Sequence, residues 1–157
     1  MDWRIELENF IDKNTVIIGV GSELKSDDRV GIYVTESLKE IKGLNVIVAG
    51  PTPEHWLGFL ANRGFKKVLI IDAVVSSNKK GEIRIFDINE ISKRFGLTHS
   101  SSLHLFSDYI SSEGSVEEIK ILAIEPETLN LGEKLSPEVK RKADEIIKFF
   151  KELSISQ

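Results

Sequence analysis

Apolar positions along the chain alternate between a period near one helical turn and short β-branched runs, and that alternation predicts its elements. Trp3, Leu7, Phe10 and Ile11 recur at helical spacing, which predicts a short amphipathic helix. Thr15–Val20 is a compact β-branched run that reads as a strand, with Gly19 and Gly21 permitting a tight turn or close backbone approach after it. Val30, Val34, Leu38 and Ile41 mark the next helix, with Ser26 and Asp27 as candidate caps and Lys42–Gly43 as its end. Leu44–Ala49 reads as a second strand, Gly50–Pro53 as a loop and Glu54–Asn62 as a helix. Val68–Ile71 is a third strand with Asp72 at its C-terminal end. A turn at residues 76–81 leads to a fourth strand, Glu82–Phe86. Too few residues separate strands three and four for a helical crossover, so they are expected to run antiparallel. Short helices are expected at Ile88–Phe95 and around Leu103–Ile110, with the polar THSSS segment between them, then a fifth strand at Ile119–Ile124. The last helix carries Val139, Ala143, Ile146, Phe150 and Leu153 on one face, with Pro137 in its first turn.

This order predicts an α/β protein: three layers, α/β/α, around an open, twisted, mixed sheet of about five strands, one of them antiparallel. The 157 residues suit one domain, 1–157, with a short helical extension at about 1–12. Sheets of this kind bind ligands at the carboxyl ends of their strands. That rule selects the Gly21–Asp28 loop, the Gly50 loop, Asp72 and the segment around Glu125.

Composition narrows the chemistry. There is no cysteine, which excludes disulfides, cysteine-ligated zinc, iron–sulfur clusters and a thiolate nucleophile. Any transition metal must be held by carboxylates, by the three histidines or by ligands from a partner. The formal net charge of -4 does not favour nucleic acid. No apolar run reaches the ~18–20 residues of a membrane span, and MDWRIELENF has none of the pattern of a secretory signal. A cytoplasmic location without membrane insertion is expected.

Several polar residues stand where chemistry is possible. Asp27 and Asp28 adjoin a predicted helix N-terminus; one suffices as a cap, and the other is available for a cation. Asp72 follows a buried strand with no polar buffer, where a carboxylate is costly unless hydrogen-bonded, paired or metal-bound. His99 lies among Thr98 and three serines, away from an obvious apolar face, where a lone histidine is more often a surface or capping group. His104 is less well placed to share a site, and His55 reads as a rim residue. Asp28, Asp72 and His99 together would make a two-carboxylate, one-histidine set suited to nickel, iron, zinc or manganese. The chain has no HExxH or GxSxG, its GxGxxG lacks the third glycine, and no P-loop is present.

The run GVGSELKSDDRVG, Gly19–Gly31, resembles the N-terminal signature of the hydrogenase maturation endopeptidases of the HycI/HybD type. The resemblance continues in order through PTPE (Pro51–Glu54), VLIIDAV (Val68–Val74), GEIRIFD (Gly81–Asp87), THSSSL (Thr98–Leu103) and IEPETLNLGEKLSPEV (Ile124–Val139). It implies an endopeptidase that removes the C-terminal extension of a nickel–iron hydrogenase large-subunit precursor after nickel insertion. It also implies that Asp28, Asp72 and His99 are the metal-contacting and catalytic residues, recognising nickel supplied by the precursor. Asp27, Gly50 and His104 are candidates for peptide orientation or loop support. Two departures from the family pattern stand out: Ser22 replaces the usual Asn, and Val48-Ala49-Gly50 replaces Asp-Gly-Gly. Two other classes remain open: a non-catalytic nickel-state sensor or chaperone for the precursor, and a metal-dependent phosphate or nucleotide enzyme.

Overall fold

The computed structural model describes residues 2–76, 78–90, 108–110 and 112–153. The elements are α1 (Trp3–Phe10), β1 (Thr15–Val20), α2 (Val30–Leu38), β2 (Asn45–Gly50), α3 (Leu57–Ala61), β3 (Lys67–Ala73), β4 (Ile83–Asp87), β5 (Glu118–Ile124) and α4 (Pro137–Glu152). Short 3-10 turns, Ser26–Arg29 and Pro53–Trp56, lead into α2 and α3. Ile88–Glu90 is helical, while the rest of that predicted helix and the first part of the next lie outside the described residues.

The sheet runs β2-β1-β3-β5-β4, parallel throughout except for β4 against β5. The predicted three-layer mixed sheet is therefore present. β4 does run opposite to β3, but the two are not neighbours, because β5 lies between them. The burial patterns explain this arrangement. β5 ends in four consecutive buried residues and needs cover on both faces. β4 is only partly buried, as expected of an edge.

Successive residues of each strand serve opposite layers. Ile17, Leu69, Ile71 and Leu122 pack with Leu7 and Phe10 of α1, Val34 and Leu38 of α2, and Ile146 and Phe150 of α4. Ile18, Ile70 and Ile121 pack with Leu60 of α3 and Ile110 on the other face. Fully burying one such side chain contributes about 1.5–3 kcal/mol.

α2 lies unusually close to the sheet, and two glycines allow it. A Cβ on Gly19 would overlap the Thr35 hydroxyl and the Gly31 carbonyl. One on Gly31 would overlap the carbonyls of Val20 and Ile71. This close approach fixes the start of α2 over the C-terminal ends of β1 and β3. The helix stops at Leu38, before the predicted end, and Ile41 packs against the core from the turn beyond. Among the described residues, no helix is long and apolar enough to cross a membrane.

Candidate active site at the strand ends

Asp72 is the penultimate residue of β3, opposite Ala123 of β5, and is 1% exposed. Its Oδ1 accepts a hydrogen bond from the Ala73 amide at 2.8 Å. Asp28 is fully buried in the 3-10 turn after β1, and that turn contacts β3. Its carbonyl accepts from the Ser22 amide at 3.2 Å, and its own amide donates to the Lys25 carbonyl at 2.9 Å. Gly21, at φ 149°, lets the chain turn here, since a Cβ would overlap the Asp28 carbonyl. The fold thus gathers Asp28 and Asp72 at the ends of two adjacent strands.

Asp27 faces a different way. Its carboxylate accepts from the amides of Glu127 (2.8 Å), Thr128 (3.1 Å) and Ser136 (2.7 Å), and from the Ser136 hydroxyl (2.6 Å). The expected cap is absent: no side chain caps α2, whose preceding residue is Arg29. The intervening 3-10 turn carries Asp27 away from the helix end. The crossing loop offers it four donors, more than one cap position could. Ser26 is drawn into the same loop, donating its hydroxyl to the Asn130 carbonyl at 2.8 Å. Backbone bonds from Ser26 N to Gly132 O (2.8 Å), Gly132 N to Leu24 O (3.0 Å) and Asp27 N to Thr128 O (3.2 Å) complete the join. The loops after β1 and β5 form one rim.

Gly50 ends β2 at φ 66°, and its carbonyl accepts from the Gly21 amide at 3.0 Å. His55 is exposed on the 3-10 turn after β2. His99 and His104 lie outside the described residues. Among the described residues, no three carboxylate or histidine side chains converge to hold a metal.

Glu125 lies in the last of the segments that the strand-end rule selects. It is 6% exposed and accepts from the Ser76 amide (3.0 Å), the Ser76 hydroxyl (2.7 Å) and the Asn78 amide (3.3 Å). It pins the segment after β3, and with it the chain that follows Asp72. The signal that singled out Asp72, an acid directly after a buried strand, was present here too.

Residues 29–152 match the family model described as HycI, hydrogenase maturation protease. The chain belongs to this family. A Methanocaldococcus jannaschii relative that carries the hydrogenase maturation protease name is 34% identical over 145 residues, covering 86% of this chain and 85% of that one. The hydrogenase 3 maturation protease of Escherichia coli K12 is 29% identical over 115 residues, 71% of this chain and 72% of its own. The crystal structure of a [NiFe] hydrogenase maturation protease, HycI, from Thermococcus kodakarensis superposes with a TM-score of 0.75. It covers 94% of this chain and 97% of its own at 24% identity, and so attests the fold. As a member of the hydrogenase maturation protease family, the chain is a peptidase. Asp72 lies inside the matched region, and Asp28 immediately precedes it.

Proposed function

We propose that this chain, as one domain over 1–157, cleaves a single peptide bond to release the C-terminal extension of a nickel–iron hydrogenase large-subunit precursor. In this reading nickel arrives with the substrate. Asp28, Asp72 and His99 contact it, and its presence is what licenses cleavage. The observation that carries the proposal is the pair of buried carboxylates, Asp28 and Asp72, at adjoining strand ends of a chain from this peptidase family. Oxygen and nitrogen donors without thiolates favour a visiting ion over a resident one, because soft ligands supplied by the precursor would complete its shell. The assignment of His99 rests on the resemblance of the THSSSL segment.

The reaction consumes one water. The scissile C–N bond breaks, the new carboxylate stays on the mature subunit, and the released peptide takes the amine and a proton. Nickel held by Asp28, Asp72 and His99 would serve first for recognition and could also supply Lewis acidity toward the scissile carbonyl or a water. Asp28 and Asp72 hold the substrate in register, and Asp27 and Glu125 keep the surrounding loops in place. The reading puts the reaction in the cytoplasm.

The test is intact-mass analysis of nickel-loaded and nickel-free precursor before and after incubation with the protein. Loss of the extension from the loaded form alone is expected. Equal cleavage of both forms would overturn nickel recognition. An unchanged mass with retained binding would instead make the chain a sensor or chaperone.

A further inference from the structure

Beside the strand-end carboxylates, on the β2 side, lies an open groove of about 330 Å³. Leu24, Ile32, Val48, Ala49 and Pro51 supply its apolar wall, and Glu23 is the one charged residue lining it among the described residues. Ser22 and Gly50 connect it to the candidate site. Ser22, at the groove, donates its amide to the Asp28 carbonyl, and Gly50 accepts from Gly21. β2 is an edge strand that pairs with β1, and among the described residues no strand pairs with its other edge.

The rim nearby carries an exposed apolar pair. Leu24 is 64% exposed and Leu131 83% exposed. They are not loose tips. Leu24 and Gly132, the neighbour of Leu131, are joined by the Gly132 N to Leu24 O bond, and Lys25 and Gly132 form a β-bridge. A surface held this firmly has already lost its backbone freedom before any partner arrives, which lowers the entropic cost of binding.

We propose that this groove and its leucine rim hold an extended, apolar, non-acidic segment of the precursor next to the bond that is cut. The inference rests on the peptidase reading and deepens it, naming what the enzyme recognises besides metal. An endopeptidase must grip the chain beside the scissile bond, and this groove reaches the Asp28 turn through Ser22. A free strand edge suits an extended peptide, whose main chain can hydrogen-bond along it while side chains enter apolar pockets. Glu23 disfavours acid in that segment. Val48 keeps the wall apolar beside Gly50.

The experiment uses the full-length protein and purified nickel-loaded precursor. Initial cleavage rates by intact mass separate KM from kcat, and a binding titration is run in parallel. Leu24→Glu and Val48→Asp are expected to raise KM and weaken binding by about tenfold or more, the scale of losing one buried interface anchor. The effect on kcat should be much smaller. Leu24→Ser and Leu131→Ser, at exposed positions, keep the test valid if Val48→Asp fails to fold. Unchanged KM and binding in folded variants would overturn the proposal. So would conversion of a self-associated form to monomer with KM unchanged, since the face would then join two copies of the chain. If the wild type binds without cleaving and the variants bind more weakly, the peptidase reading fails and the groove stands. If the wild type does not bind, both fail.

Discussion

At the N-terminal end of the parallel strands, Lys67 Nζ lies 3.0 Å from Asp12 Oδ2, with side chains 23% and 46% exposed. At the C-terminal end, Asp27, Asp28 and Asp72 are at most 1% exposed. Both ends carry carboxylates, but water does the work at the first and the protein does it at the second. Asp12 is screened by solvent and contributes as an ordinary surface pair. Asp27 takes its hydrogen bonds from backbone amides of a loop about 100 residues away in the chain, so the loop's course depends on it. Burial turns a charge from an accessory into a determinant of local structure, because each donor left behind loses its only acceptor.

That contrast can be broken most severely at the buried end. Asp72→Asn keeps the side-chain size and removes the charge. It should lower cleavage of nickel-loaded precursor by on the order of 100-fold or more, the scale of losing one preorganised electrostatic group, with the melting temperature little changed. His99→Ala should follow it and His104→Ala should be milder; the reverse order in the same mass assay would move the third ligand to His104.

Asp27→Ala separates scaffold from chemistry. It leaves the amides of Glu127, Thr128 and Ser136 without their acceptor. The expected loss is about 3 kcal/mol of stability, or roughly 6–12 °C in Tm for a chain of this size, read by thermal melting. A melt within a degree of wild type would mean that the loop finds other partners.

The smallest effect belongs to the exposed end. Asp12→Asn should cost less than about 1 kcal/mol, and less again at high salt. The Lys67 hydrogen bond, opposed by partial burial and helped by the Asn14 amide, holds the Asp12 carboxyl below its ordinary value of 3.8. Its contribution is therefore complete above that value and fades as pH falls through the lower, folded-state value. Wild type and Asp12→Asn should differ in denaturant midpoint at pH 6 and converge near pH 2. A gap that widened on acidification would contradict this.

Among the described residues, periodicity and β-branched runs located the helices and strands to within a few residues, because both signals are local. Asp72 was legible for a similar reason: an acid directly after a buried strand is conspicuous in the sequence alone. Asp27 was legible only as a polar residue near a helix start. Its partners, 100 or more positions later, have no local signature, so a cap was the natural expectation. The neighbour of β4 was hidden in the same way. Chain connectivity sets its direction, but β5 enters between it and β3 from far along the sequence.

By itself, then, the sequence determined the layered α/β class, the absence of thiol chemistry and the strand-end placement of Asp28 and Asp72. These follow from hydrophobic period, composition and the geometry of parallel sheets. Only the tertiary structure decided which of two adjacent aspartates ties loops together, which strand separates β3 from β4, and that two distant leucines share one rim. Those outcomes depend on contacts between residues far apart in the chain, where burial and competition for hydrogen-bond partners settle what local pattern leaves open.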